Sequence, residues 1–119
     1  MKLDEILTKH KKWVESEGKD DERADLRKAI LQEADLHDAN LQSADLEGAH
    51  LSVADLMRAN LRLANLRRAD LWMADMKDAI LQGAELQGAN LDGVTNLTQK
   101  QIDSAIIDEA TVLPSGIKR

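Results

Sequence analysis

The residue types of a serine-hydrolase triad occur in the sequence as His50, Ser52 and Asp70. In such a triad the histidine takes the proton of the serine hydroxyl, and the aspartate orients the imidazole ring. Asp70 follows His50 by twenty residues, so the side chains meet only if the chain returns to the same place after that interval. The hydrolase hypothesis therefore depends on the fold.

Three aspartates, Asp35, Asp55 and Asp75, also recur at intervals of twenty residues. Carboxylates that are brought together offer the oxygen ligands that Ca²⁺ and Mg²⁺ prefer. Arg58 and Lys77 follow the second and third of these aspartates closely, and we expect the two cations to neutralise the carboxylates instead. His10 and His37 lie away from His50 in the sequence, so no cluster of histidines is evident. We predict no metal site and no cofactor.

Both sets of residues belong to a five-residue repeat. Alanine occupies every fifth position from Ala24 to Ala89, and leucine follows two residues later from Leu26 to Leu91, with Met76 as the single exception. These fourteen pentads have the form Ala-x-Leu-x-x. A period of five makes no apolar stripe along an α-helix, and along a continuous strand it sends alternate leucines to opposite faces.

The period fits a chain that turns a corner after each leucine. Alanine and leucine then point to the same side of a short extended piece, and the next two residues form the turn. Four corners close a square, so one coil takes twenty residues, and coils stack about 4.8 Å apart through parallel backbone bonds. We predict coils over residues 24–43, 44–63 and 64–83 and a half coil over 84–93, with leucine inside.

Runs such as ADLHDANL at residues 34–41 and ANLRRADL at residues 64–71 resemble the pentapeptide-repeat proteins, whose motif is Ala-Asp/Asn-Leu-x-x. The resemblance covers residues 24–93. It implies an all-β solenoid, a right-handed quadrilateral β-helix of about three and a half coils. The flanks also resemble the termini of that family, so we predict a single domain over residues 1–119.

Both flanks have the pattern of short α-helical caps for the ends of the coils. Apolar residues at helical spacing predict a helix over residues 3–16, with Trp13 packed on the first coil and Gly18 as the helix stop. Thr98 and Gln101 have the spacing of a capping box, which predicts a second helix over residues 98–107. Residues 108–119 are predicted to be a tail in which Pro114 stops regular structure.

The outward places of the pentads carry recurring residue types. Asparagine or aspartate at the second place is predicted to bond the local turn backbone. Glycine at the fifth place is predicted to supply a positive φ at a corner. Ile30 and Ile80 stand where Asp or Asn is usual, and we expect both to pack under flanking segments.

Apolar and basic residues take the outward places in the middle coils. Tryptophan, methionine and arginine are enriched in protein interfaces, so the sequence predicts an interaction patch there. The patch consists of Arg58, Arg62, Arg67, Arg68, Trp72 and Met73. The outward Val53, Met57 and Leu63 accompany it.

A coil filled with leucine leaves no concave site, and the triad residues would stand on a flat wall without oxyanion donors. We therefore predict no catalytic residues and a non-enzymatic scaffold that binds another protein, as a monomer or an end-to-end homodimer. The net charge of −6 argues against nucleic-acid binding. The chain has no cysteine, no apolar run of membrane-spanning length and no apolar core of a signal peptide, so we expect no membrane association and a cytoplasmic location.

The family resemblance adds one alternative, a regulator of DNA gyrase that mimics duplex DNA. Charge argues against it. Three and a half coils span about 17 Å, over which B-DNA carries roughly ten negative charges. Residues 24–93 hold twelve acidic and seven basic residues, a net charge of −5.

Overall fold

Each pentad forms one side of a coil and the turn that follows it. Within the computed structural model, which describes residues 2–119, the N–H of Ala29 donates to the C=O of Leu26 at 3.1 Å across the first turn. The same bond closes every pentad up to that of Leu91, where Val94 is the donor. The residue before each donor has a φ between 56° and 71°, as the third residue of a type II turn has. Positive φ is therefore a property of every corner and not of the glycines alone.

Backbone hydrogen bonds join each coil to the next. The N–H of Leu26 donates to the C=O of Asp45 at 2.7 Å, and the N–H of Asp45 donates to the C=O of Ala24 at 3.1 Å. These bonds make a parallel bridge between residues twenty apart, and the bridge recurs on each side of the coils. Because two of every five residues lie in a turn, each bridge holds one residue and residues 2–119 form no continuous strand. The predicted coils are present, but single bridged residues replace the strands of an all-β solenoid.

The third-place side chains fill the interior of the coils. All fourteen of them, Leu26 to Leu91 with Met76 included, expose at most 3% of their surface. The alanines of the second and later coils are buried as well, whereas three alanines of the first coil are only half-buried. The predicted inward direction of both residue types is confirmed. Since burying one leucine contributes about 1.5–3 kcal/mol, this column is the main source of stability in the coils.

Two of the corner glycines make room for a large side chain of the coil before. A Cβ on Gly83 would lie 2.6 Å from Cδ2 of Leu63, and one on Gly93 would lie 2.6 Å from Sδ of Met73. The positive φ predicted at the fifth-place glycines is confirmed. Close stacking of large residues on small ones is a second reason for these two glycines, and the repeat pattern did not predict it.

Helix α1 spans Leu3–Glu15 and lies against the first coil. The sequence predicts Trp13 on that coil; the structure puts the buried His10 there, and the Trp13 ring stacks on it with centroids 5.5 Å apart. The helix ends with a residue of positive φ, Glu17, followed by a bond from the N–H of Gly18 to the C=O of Trp13 at 2.8 Å. This is a Schellman motif in which the left-handed residue is Glu17, one residue before the predicted stop.

His10 makes two hydrogen bonds to the backbone of the first coil. Its Nδ1 accepts the N–H of Ala24 at 2.9 Å, and its Nε2 lies 2.7 Å from the carbonyl oxygen of Gln42. Because a carbonyl oxygen only accepts, Nε2 carries the proton. In later coils a fourth-place carbonyl such as that of Gln42 accepts an N–H from the coil before it. His10 thus occupies part of the place of a preceding coil.

Helix α2 spans Gln99–Ser104 and is shorter than the predicted helix over 98–107. The capping box is confirmed: Thr98 Oγ1 accepts the N–H of Gln101, and Gln101 Oε1 accepts the N–H of Thr98. Gln101 Nε2 also donates to the carbonyl oxygens of Met76 and Ala79, at 3.0 and 2.9 Å. Ala79 stands at the first place of its pentad, where the carbonyl oxygens of the equivalent alanines in earlier coils accept an N–H from the next coil.

The coils continue beyond residue 93, where the prediction ended them. Thr95 bridges Asp75, and after α2 the chain returns so that Ile106 bridges Glu85 and Val112 bridges Asn90. The last two intervals are 21 and 22 residues instead of twenty. Helix α2 takes the place of one side of a coil. The five-residue spacing is therefore lost in the sequence, whereas the bridges between successive coils continue. Part of the predicted helix and part of the predicted tail therefore belong to the coils.

Candidate functional site

The second-place Asp and Asn side chains are committed to the turns, as predicted. In each case Oδ1 accepts the backbone N–H two residues later, at 3.0 to 3.3 Å. The residues are Asp25, Asp35, Asn40, Asp45, Asp55, Asn60, Asn65, Asp70, Asp75 and Asn90. The structural interpretation of this repeated residue type is confirmed, and one oxygen of each side chain is occupied by the fold.

The triad residues adjoin one another without forming a triad. His50 and Asp70 form a parallel bridge, but Asp70 Oδ1 accepts the N–H of Trp72 at 3.1 Å and Nδ2 of Asn90 at 3.4 Å. Within residues 2–119, no side-chain hydrogen bond links His50 to Ser52 or to Asp70. The base and orienting contacts that a serine nucleophile needs are therefore missing from this part of the coil.

Asp35, Asp55 and Asp75 stack in successive coils, and we call them the aspartate column. His37 lies beside this column, a position that the sequence did not predict. Asp35 and Asp55 form a parallel bridge, and Leu36 between Asp35 and His37 points inward. The two flanking side chains therefore lie next to each other on the outer surface. His37 Nδ1 makes a hydrogen bond with Asp35 Oδ1. One ligand atom from each of Asp35, His37 and Asp55 lies within 4.8 Å of the others. His37 therefore lies with two carboxylates, although it is remote from the other two histidines in the sequence.

Arg58 pairs with Asp38 and not with the aspartate column. Its Nε and Nη2 donate to the two carboxylate oxygens of Asp38 at 2.7 and 3.0 Å. This bidentate pair lowers the pKa of Asp38 and raises the pKa of Arg58. The hydrogen bond between His37 and Asp35 likewise lowers the pKa of Asp35 and raises the pKa of His37. The hydrogen-bonding partner of Asp35 is therefore His37, while Arg58, which the sequence placed on the aspartates of the column, pairs with the neighbouring carboxylate of Asp38.

The six residues of the predicted interaction patch lie at four different corners. The corners follow one another along the chain, with Arg62 at one, Arg67 and Arg68 at the next, and Trp72 and Met73 at the one after. Arg62 is thus diagonally opposite Trp72 across the coil. The corner of Arg58 follows that of Trp72 but belongs to the coil before. A single contiguous patch can include the tryptophan corner and one neighbouring corner, but not all six residues.

Most of the patch arginines are neutralised by acidic residues. Arg67 lies 3.2 Å from Glu85 and Arg68 lies 3.2 Å from Glu47, and both acids belong to neighbouring coils. With Arg58 on Asp38, three of the four patch arginines form ion pairs. Acidic and basic groups therefore alternate along the coils, unlike the uniform charge of a DNA backbone. The structure gives no support to the DNA-mimic alternative.

Three exposed apolar side chains adjoin one another at one corner of the coils. Trp72, Met73 and Val53 expose 46%, 45% and 48% of their surface, and the N–H of Val53 bonds the C=O of Trp72 at 2.8 Å. Ile30 and Ile80 expose 69% and 48%, so the prediction that both pack under flanking segments is wrong. Neither helix covers them, because α1 and α2 lie against the ends of the coils and not along their sides.

A pocket of about 270 Å³ lies between α1 and the segment that enters the first coil. Acidic and basic side chains from the region of α1 and from that segment line it, with Ile6 and Ala24 as its apolar members. It lies away from the triad residues, the aspartate column and Trp72. None of the described helices has the length and apolar character to cross a bilayer.

Comparison with known protein families identifies the repeat. Three overlapping matches to the family of pentapeptide repeats cover residues 22–56, 34–72 and 59–99, which together span well over half of the chain. This chain belongs to the pentapeptide-repeat family. The resemblance seen in the sequence is confirmed. Among curated proteins, the comparison found no match.

Solved structures of pentapeptide-repeat proteins resemble this one. A protein from the thylakoid lumen of Arabidopsis thaliana is 29% identical, with a TM-score of 0.60 over 73% of this chain and 56% of that protein. This chain thus spans just over half the length of that relative. Proteins from Cyanothece 51142 and Nostoc Pcc 7120 are 34% and 31% identical, with TM-scores of 0.46 and 0.49. Those matches cover 81% and 93% of this chain and 68% and 86% of the respective relatives.

Proposed function

We propose that this pentapeptide-repeat protein is a non-enzymatic scaffold that binds a partner protein through the outer surface of its coils. The observation that carries the proposal is the aliphatic interior, whose third-place side chains are at most 3% exposed. Ligands of ordinary enzymes bind in concave pockets with convergent polar groups. Here the polar second-place groups bond their own turns through one oxygen, so we expect a partner protein to bind mainly the other outward side chains.

The surface best suited to a partner consists of Val53, Trp72 and Met73, which we call the Trp72 patch. Val53 and Met73 occupy the same corner in successive coils, and Trp72 adjoins both. Single exposed apolar residues are ordinary, but three that adjoin one another form a continuous apolar surface. Tryptophan and methionine are enriched in interfaces, and tryptophan is frequent among hot spots. The paired Arg67 and Arg68 at the preceding corner supply a polar rim.

The test is site-specific photo-crosslinking in cells that express the full chain. A photoreactive residue at position 72 is expected to capture a discrete partner protein, and Trp72→Ala with Met73→Ala is expected to lose that partner in a pull-down. The matched control is Leu63, which is 54% exposed but lies at the diagonally opposite corner. A crosslink at position 63 that captures the same protein as one at position 72, or a double variant that retains the partner, would count against the Trp72 patch.

The finer features of the fold belong to the same proposal. We infer that the coils wind right-handed, which the family resemblance supports, and that α1 and α2 act as caps. The contacts of His10 with Gln42 and of Gln101 with Ala79 support the capping role. The single domain, the cytoplasmic location and the choice between monomer and end-to-end homodimer remain predictions. Light scattering measures the oligomeric state, and cell fractionation measures the location.

A further inference from the structure

The side chains of Asp35, His37 and Asp55 converge on the outer surface of the first two coils. Parallel bridging sets Asp35 beside Asp55, and the turn sets His37 beside Asp35. One ligand atom from each residue lies within 4.8 Å of the other two. The backbone ladder and the repeated turn therefore fix the relative positions of two carboxylates and one imidazole, although no two of these residues are adjacent in the chain.

Each of the two aspartates retains an oxygen for a ligand. Their Oδ1 atoms accept the backbone N–H groups of His37 and Met57. Their Oδ2 atoms have no hydrogen-bond partner among the residues that the structure describes. Arg58, the expected counter-ion, is held by both oxygens of Asp38. The pair of carboxylates thus faces solvent with His37 as its polar neighbour.

We propose that Asp35, His37 and Asp55 bind a divalent transition-metal ion such as Zn²⁺. Two carboxylate oxygens and one imidazole nitrogen suit zinc and its first-row neighbours, whereas Ca²⁺ and Mg²⁺ take sets made of oxygen alone. The exposed position leaves the remaining coordination places to water, so the ion is exchangeable. The His37 imidazole bonds Asp35 in this structure, and metal binding would replace that hydrogen bond.

Asp75, the next residue of the column, is not part of this site. Its Oδ1 accepts Nδ2 of Asn96 at 3.0 Å in addition to the N–H of Lys77 at 3.1 Å. No histidine stands beside it, since Lys77 occupies the place that His37 takes beside Asp35. The aspartate column therefore offers nitrogen and oxygen ligands at the Asp35 end, where His37 lies, but only carboxylate oxygens at the Asp75 end.

The test is calorimetric titration of the full chain, free of any histidine tag, with Zn²⁺ and separately with Mg²⁺. We expect one Zn²⁺ per chain with micromolar affinity and no comparable binding of Mg²⁺. His37→Gln and Asp55→Asn are each expected to weaken Zn²⁺ binding at least about tenfold, because even the partners of metal ligands are worth 10–100-fold. NMR shifts of the His37 ring on addition of Zn²⁺ locate the ion independently.

Two variants serve as matched controls. His50→Gln removes another exposed histidine that bridges an aspartate, and Asp75→Asn removes the third carboxylate of the column; both are expected to leave Zn²⁺ affinity unchanged. The proposal is overturned if Zn²⁺ does not bind, or if either control weakens binding as much as His37→Gln. Equal binding of Mg²⁺ and Zn²⁺ also overturns it, because that result indicates a carboxylate ladder.

Discussion

At the scale of single residues, the side chain at the second place of each pentad decides whether the backbone N–H two residues later has a hydrogen-bond acceptor. Ten side chains there accept the N–H two residues later. Isoleucine cannot accept, so the N–H of Gln32, two residues after Ile30, has no acceptor among residues 2–119. The same place also exposes 69% of the Ile30 surface. The repeat is therefore locally suboptimal at this position.

Ile30→Asn is expected to stabilise the protein. The new Oδ1 accepts the N–H of Gln32 in the geometry that Asn40 already uses, and one such hydrogen bond contributes about 1 kcal/mol to the free energy of unfolding. Urea unfolding measures the change. Ile30→Ala, which removes the exposed apolar group without adding an acceptor, is the control. Equal midpoints for the two variants would show that the turn bond contributes nothing.

At the scale of elements, each helix presents one polar side chain to the backbone at an end of the coils. His10 of α1 bonds Ala24 and Gln42, and Gln101 of α2 bonds the carbonyl oxygens of Met76 and Ala79. Terminal coils lack the neighbour that satisfies the other coils, and unpaired backbone groups promote edge-to-edge association. Both helices therefore do more than cover apolar surface.

Gln101 has two separable roles, and substitutions at this residue distinguish them. Gln101→Glu keeps an acceptor for the N–H of Thr98, and so keeps the capping box, but cannot donate to Met76 and Ala79. We expect Gln101→Glu to lower the free energy of unfolding by about 1–3 kcal/mol, and Gln101→Ala, which also removes the capping box, to lower it further. The exposed Lys100 on the same helix supplies the control, Lys100→Ala, which is expected to change little. If Gln101→Glu is as stable as the wild type, the bonds to the coil are unimportant.

At the scale of the whole molecule, the protein is a short column with extents of 40 × 25 × 22 Å. Each coil contacts only the coils next to it, so stability depends on the interfaces between neighbours and on the two ends. The amino-terminal end of the coils carries a buried titratable group, His10 of α1. Nδ1 of His10 accepts the N–H of Ala24, which leaves no room for a second ring proton.

The free energy of unfolding is expected to fall as the pH is lowered and His10 becomes protonated. Burial lowers the pKa of His10 below its ordinary value of 6.5, and the charge of Arg23 acts in the same direction. Below pH 6.5 the unfolded chain then binds more protons than the folded chain. The contribution of His10 is therefore complete above that pH, and it declines by at most about 1.4 kcal/mol per pH unit as the pH falls towards the folded pKa.

The measurement compares wild type with His10→Gln in urea at about pH 7.5 and about pH 5.5, on both sides of the histidine reference value. The difference in free energy of unfolding between the two proteins is expected to shrink at the lower pH. His37 has a raised pKa and contributes with the opposite sign, but it is present in both proteins and cancels. A difference that does not change with pH would mean that His10 is not held neutral.

The sequence by itself determined the coil, because a period of five with two apolar places admits few backbone paths. Inward leucine, turn-bonding Asp and Asn, positive φ at the corner glycines and the capping box of α2 all followed from local rules. These features depend on residues close together in the chain, and each recurs or has a known local signature.

The tertiary structure decided what depends on contacts between coils and with the ends. Long side chains such as Arg58 have several acidic neighbours, and only the packed rotamers select Asp38. His37 joins Asp55 through the backbone ladder, across eighteen residues of sequence. Helix α2 replaces one side of a coil, so that Ile106 and Val112 resume the ladder at altered intervals. No local pattern carries these pairings, because they arise from which backbone segments stack on one another.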